Sequence, residues 1–141
     1  MFKRLDHIAI VVAKTEEALQ LYRDTLGFPL LFSEVLDEQG VRLTHLDMGN
    51  AHLQLVEPLK DDHPLRDFLR QHGEGLHHLC FYVDNVPQTM HILPDHGLVS
   101  RDPTPRRGPR GRQAAFINPE MTRGVLFEIT ADPSETAPEG Q

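Results

Sequence analysis

Apolar and polar residues alternate with a period of two in six short stretches: DHIAIVV (6–12), VRLTHLDM (41–48), HLQLVE (52–57), HLCFYV (78–83), RQAAFI (112–117) and VLFEIT (125–130). Successive side chains of an extended chain face opposite sides, and Gly, Pro, Asn or Asp bound most of these runs, so each predicts a β-strand. Between them the period changes. TEEALQLYRDTLGF (15–28) sets Ala18, Leu19, Tyr22 and Leu26 at helical spacing behind an acidic first turn and stops at Gly27. HPLRDFLRQHG (63–73) predicts a second helix with Pro64 near its start and Gly73 at its end, and a weaker third covers about 86–93. The last eleven residues, ADPSETAPEGQ (131–141), hold almost nothing to bury and read as a loose tail.

The strand pattern is repeated. Laying DHIAIVV on HHLCFYV sets His7 on His78 and Asp6 on His77, and laying HLQLV on LFEIT sets Gln54 on Glu128. Each leading strand runs into a helix, so the chain reads as one α+β domain of two paired βαβββ modules. Module one spans about 4–58, a linker helix about 59–75 and module two about 76–130. One strand face is apolar throughout: Ile8, Ile10 and Val12; Leu53 and Leu55; Leu79, Phe81 and Val83; Val125, Phe127 and Ile129. It belongs under the helices. The other face is mixed and carries His7, His52, Gln54, His78, Cys80 and Glu128. Two half-sheets curled toward each other would gather His7, Gln54, His78 and Glu128 at one concave centre.

That set has a chemistry. Two imidazoles, an amide oxygen and a carboxylate suit a divalent ion of the Mn, Co, Ni, Zn or Fe group and leave positions open for water and substrate. Any one of these residues alone reads more readily as a surface or hydrogen-bonded side chain than as a ligand; their matched places in the repeat reverse that and favour ligands. His52 shares the face and is the rival to Gln54. His77 falls on the opposite side of its strand.

Composition narrows the partners. At 141 residues and 39% hydrophobic, the chain can bury one proper core. No run of eighteen apolar residues occurs, and the start MFKRLDHIAIVVAKTEE turns polar too soon for a signal peptide, so the expected location is cytoplasmic. The single Cys80, within an apolar strand, fits a packing role in a reducing compartment. A net charge of −7 argues against nucleic acid. RDPTPRRGPRGR (101–112) nevertheless collects Arg101, Arg106, Arg107, Arg110 and Arg112, as a solvated loop or as a site for an anionic ligand.

LDHIAIVV, LGF, GEGLHHLCFYV and GVLFEI, in this order, resemble the vicinal oxygen chelate (glyoxalase–bleomycin resistance–dioxygenase) superfamily, whose paired βαβββ modules form a curved mixed sheet around a metal. Within it the chain resembles the methylmalonyl-CoA epimerases. DEQGV (37–41), LDMGNAHLQLVEPL (46–59), PLRDFLRQHGEGLHHLCFYVDNV (64–86) and GRQAAFINPEMTRGVLFEI (111–129) carry that narrower likeness, which covers 5–129. The resemblance implies His7, Gln54, His78 and Glu128 as ligands of a divalent Co, Mn, Ni or Zn ion. It implies Glu38 as a second catalytic carboxylate beside Glu128, although a Glu-Gln-Gly turn would by itself read as solvated. The implied reaction interconverts the 2R and 2S forms of methylmalonyl-CoA: a proton leaves one face and returns on the other, through an enolate that the metal stabilises. An acyl-CoA brings phosphates, which makes the arginine-rich stretch a docking rim with Arg106, Arg107 and Arg110 as candidates. A homodimer is usual for the family. FINPE (116–120) and His63 depart from the family's pattern, which has His and Lys in the first and often Ser at the second; both bear on acyl-CoA contacts. Three rivals share the fold: glyoxalase I, a lactoylglutathione lyase; an Fe(II) ring-cleaving dioxygenase, needing only two His and one Glu; and a metal-free binding protein for antibiotics.

Overall fold

The computed structural model describes residues 1–133; most of the expected tail, 134–141, lies outside the described residues. The chain divides into two compact units, Asp6–Leu79 and a second made of Met1–Leu5 with everything from Cys80 onward. In chain order the elements are β1 (Arg4–Val11), α1 (Thr15–Leu19), β2 (Leu30–Leu36), β3 (Val41–Asp47), β4 (His52–Pro58), α2 (Pro64–His72), β5 (Gly75–Tyr82), α3 (Val86–Ile92), β6 (Arg106–Arg107), β7 (Gln113–Phe116) and β8 (Phe127–Ala131). Among the described residues, no helix is long and apolar enough to cross a membrane.

In the unit Asp6–Leu79 the strand order is β2-β3-β4-β1-β5. β1 runs parallel to β4 with His7 beside His52 and Ala9 beside Gln54. β3 is antiparallel to β4 with His45 opposite Gln54 and Leu46 opposite Leu53. The predicted apolar face is a core: Val12, Leu19, Leu46, Leu53 and Leu55 cluster with Ile8, Ile10, Ala18 and Tyr22, which places it against α1. The mixed face has an apolar floor of its own, Ala9, Leu36, Val41, Leu43 and Val56, closed by Leu65 of α2. A fully buried Leu such as Leu55 contributes about 1.5–3 kcal/mol through its removal from water.

Two local expectations are corrected. The helix predicted over 15–28 is α-helical only as far as Leu19 and continues as a π-helical turn, Gln20–Thr25, with Leu26 N–H bonded to the Leu21 carbonyl at 2.9 Å. The wider turn changes the angular step between side chains, so Leu26, expected on the buried stripe, is 53% exposed. β2 had no counterpart in the alternation. It is interrupted by a register shift between Leu30 and Phe32 and leaves Leu30, Leu31 and Val35 exposed at the end of the strand order, so no period-2 pattern marks it.

Side chains from elsewhere in the unit secure the helix starts. Lys14 gives α1 no side-chain cap; Glu57 of β4 accepts from the Thr15 N–H at 3.0 Å and the Thr15 hydroxyl at 2.6 Å. His63 precedes α2 and uses both ring nitrogens. Nδ1 accepts from Leu65 N–H at 3.0 Å, and Nε2–H donates to the Gln39 carbonyl at 2.8 Å. The turn that bears Glu38 is thereby tied to the start of α2. Gly40, at φ +65°, completes that turn, and a Cβ there would lie 3.4 Å from the His63 ring. His63→Ala is expected to cost about 1–2 kcal/mol, the usual worth of a cap together with one hydrogen bond. His63→Asn keeps a capping oxygen but is too short to reach Gln39. Amide exchange at 38–40 should accelerate in both variants, and unchanged protection would show that His63 does not hold the turn.

In the second unit the order is β5-β8-β7-β6, with Phe116 opposite Glu128 across β7 and β8. Val83, Val86, Leu93, Ala115, Ile117, Ile129 and Ala131 form its core, with Phe2 and Phe127 packed against it. Asn85 caps α3 by accepting from Gln88 N–H at 2.8 Å. Val125, expected on the buried face of the last strand, precedes β8 and is 45% exposed. Arg123 there has φ 59° and the Thr122 hydroxyl bonds the Val125 carbonyl at 2.6 Å, so a turn occupies the place where the alternation predicted strand.

Candidate functional site

Within the unit Asp6–Leu79, parallel pairing of β1 with β4 and antiparallel pairing of β3 with β4 put His7, Gln54 and His45 on one face, and all three are buried. His78, on β5, is buried too, and its ring lies edge-on to that of His7 with centroids 5.7 Å apart. The unit therefore gathers three of the four predicted ligands. Each histidine is held through Nδ1 by the residue before it. Asp6 Oδ2 lies 2.8 Å from His7 Nδ1, and His77 Nδ1 lies 2.9 Å from His78 Nδ1. Nε2 is buried in both rings.

This extends the internal repeat. The alignment that matched His7 with His78 also matched Asp6 with His77, and both of those neighbours clasp a histidine at the same nitrogen. A carboxylate only accepts, so Asp6 selects the Nδ1–H tautomer of His7 and turns its Nε2 lone pair to the ligand role, while His77 engages His78 at Nδ1 and so makes Nε2 its candidate ligand atom as well. His77 was expected on the opposite side of the strand with no part in the site. Its ring does pack against Phe68 of α2, with centroids 5.2 Å apart, but its Nδ1 turns to His78.

His45 is the residue that the alternation did not single out. It is 1% exposed, its Nε2 lies 2.9 Å from Gln54 Nε2, and its Nδ1 lies 2.9 Å from His52 Nδ1. His52, the rival to Gln54, is thus engaged with His45. The only signal in the sequence was a histidine in the middle of a strand; its meaning depends on the β3–β4 register. Glu38 lies in the turn between β2 and β3 and is exposed.

The second unit holds Glu128 and the arginines. Glu128 is 7% exposed, and its Oε2 accepts from Arg106 at 2.8 Å. The same guanidinium donates through Nε to Asp102 Oδ2 at 3.0 Å and lies over the Phe116 ring, 4.3 Å from its centroid. Asp102 Oδ2 also accepts from the Phe116 N–H at 2.7 Å. Burial draws the Arg106 pKa downward, but the charges and hydrogen bonds of Glu128 and Asp102 outweigh it, so the guanidinium is raised above its ordinary value and stays charged. The five arginines of the loop thus divide. Arg101 stacks on Phe116, Arg106 spans two carboxylates, Arg112 pairs with Asp132 at 2.8 Å, and Arg107 and Arg110 are exposed. Cys80 is a fully buried thiol in no disulfide, which accords with a packing role.

Residues 6–116 match the model of the glyoxalase/bleomycin resistance protein/dioxygenase superfamily. The chain is 38% identical over 126 residues to the uncharacterised Bacillus subtilis protein YqjC, covering 89% of this chain and 90% of that one. It is 33% identical over 127 residues to the mitochondrial methylmalonyl-CoA epimerase of Mus musculus, covering 89% of this chain and 71% of that one. A variant of Streptomyces coelicolor methylmalonyl-CoA epimerase, solved in complex with 2-nitronate-propionyl-CoA, superposes with a TM-score of 0.86 at 32% identity, covering 95% of this chain and 100% of that one.

Proposed function

As the chain belongs to the glyoxalase/bleomycin resistance protein/dioxygenase superfamily, we propose that it is an epimerase of methylmalonyl-CoA, interconverting the 2R and 2S forms. The observation that carries the reading is likeness over nearly the whole chain, in sequence and in fold, to methylmalonyl-CoA epimerases, one of them solved with an acyl-CoA analogue. The two modules are read as one domain, acting as a cytoplasmic homodimer on an acyl-CoA.

His7, Gln54, His78 and Glu128 would hold a divalent ion. The donor set fits one: two buried imidazoles anchored at Nδ1, an amide whose nitrogen is already engaged, and a buried carboxylate. Nitrogen and oxygen ligands of this kind accept Co, Mn, Ni or Zn. When bound, the ion supplies Lewis acidity where negative charge builds on the thioester oxygen.

The protein's own groups do the proton work. Glu38 and Glu128 take the α-proton from one face of the substrate carbon and return one to the other, and the direction of reaction decides which acts first as base. Arg106 holds Oε2 of Glu128 and so restricts how that carboxylate can turn. Arg107 and Arg110, exposed as Arg101 also is, are the candidates for the coenzyme phosphates; Arg106, expected in that role on sequence grounds, is taken up by Glu128 and Asp102.

In deuterated solvent, protein loaded with Co(II) is expected to place deuterium at the α-carbon of methylmalonyl-CoA and to equilibrate its epimers. Chelator-stripped protein should do neither until the ion is restored. No exchange by the loaded protein would overturn the assignment.

A further inference from the structure

We propose that His45 is a positioning residue that decides which atom of the Gln54 amide is offered to a metal ion; the inference rests on the ligand role given above to Gln54. β3 and β4 set the two residues directly opposite each other, and the atoms in contact are Nε2 of each side chain, 2.9 Å apart. An amide nitrogen only donates, so Nε2 of His45 is the acceptor. A neutral imidazole has one donor and one acceptor. His45 accordingly carries its proton on Nδ1 and donates it to Nδ1 of His52, 2.9 Å away. Gln54, His45 and His52 form a directed row of hydrogen bonds, the amide donating to His45 and His45 donating to His52.

Turning the Gln54 amide over would require both imidazoles to change tautomer together. The His45 ring is also held in place. Phe32 stacks on one side with centroids 4.5 Å apart and planes 20° apart, and the His7 and His52 rings meet it edge-on at 5.3 and 5.2 Å. With its nitrogen committed to His45, the amide has its oxygen left as the ligand atom. The distinction matters because an amide NH2 group offers a cation no lone pair, whereas the carbonyl oxygen is an ordinary ligand for a borderline ion. His45 thus stands to Gln54 as Asp6 stands to His7 and His77 to His78. Each candidate ligand on this unit has a partner on one of its polar atoms, and for His7 and Gln54 the partner's chemistry settles which atom is presented.

Two measurements test this. In the metal-free wild type, nitrogen NMR should reveal a scalar coupling across the hydrogen bond between Nε2 of Gln54 and Nε2 of His45. Its absence, with the Gln54 side-chain amide resonating as a solvated one does, would overturn the proposal without any variant having to fold. Co(II) titrations then form a double-mutant cycle. His45→Phe should weaken Co(II) binding about 10- to 100-fold, as loss of a partner of a metal ligand commonly does. His45→Gln, which can return an oxygen acceptor near the same place, should recover most of it. In a Gln54→Glu background, where either carboxylate oxygen can bind the ion, His45→Phe should have little further effect. An equal loss in both backgrounds, or no loss in either, would overturn the positioning role. Wild type that binds no Co(II), or binding indifferent to His7→Ala, would instead remove the ligand reading beneath it.

Discussion

Glu38→Ala is expected to lower kcat for epimerisation by about 10²- to 10⁴-fold, the usual worth of a positioned general acid or base, while stability changes by no more than about 0.5 kcal/mol because the side chain is exposed in its turn. The more telling consequence concerns which epimer loses its proton. On the proposed mechanism, in which two carboxylates serve opposite faces, removing Glu38 disables the face it serves and leaves Glu128 able to act on the other. One epimer should therefore keep exchanging its α-proton with deuterated solvent although it no longer inverts, and the second should exchange at the background rate. Glu128→Ala should reverse that selectivity in any residual activity and also weaken Co(II) binding. Equal exchange of both epimers by Glu38→Ala would remove Glu38 from proton transfer, and unchanged Co(II) affinity in Glu128→Ala would remove Glu128 from the ligand set.

Arg106→Ala is expected to be the most destabilising change at a polar residue, costing about 3–5 kcal/mol, the range for breaking a buried ion pair by deleting one partner. The reason lies in what is left behind. Glu128 and Asp102 have side chains only 9% and 18% exposed, and both lose the guanidinium that balances them. The Phe116 ring loses one of its two stacked cations and keeps Arg101, a smaller effect of about 0.5–2 kcal/mol. Arg106→Lys keeps a charge but not the planar fork that reaches two carboxylates at once, so it should recover only part of the loss. Urea denaturation reads this as a lower midpoint with an unchanged slope. A shift equivalent to less than about 1 kcal/mol would mean that the two carboxylates find other partners or water. Because the Arg106 pKa is raised from an already high value, raising the pH over the ordinary range does not discharge the guanidinium, and substitution is the practical way to remove its charge.

The sequence and the structure differ most where a residue depends on a segment far along the chain. Alternation identified six of the eight strands among the described residues, and the matched halves put His7, Gln54 and His78 on a common face before any pairing was known. It failed at β2, whose bulge breaks the period, and at β6, two residues long. It also failed at Val125, where a turn with positive φ at Arg123 delays the last strand. His63 stood out in the sequence only as a departure from a family pattern. Its part in holding the Glu38 turn came from the return of the chain to Gln39.

Side-chain periodicity is local, since each residue's face follows from its immediate neighbours, and this was enough to distinguish core from candidate site and to single out His78 rather than His77 as the candidate ligand. Strand register and the return of loops are set by pairing between distant segments, where a slip of one residue would exchange every partner. Only the folded chain could therefore stand His45 opposite Gln54, turn His77 back onto His78 as an anchor, and close Arg106 over Phe116 between Asp102 and Glu128.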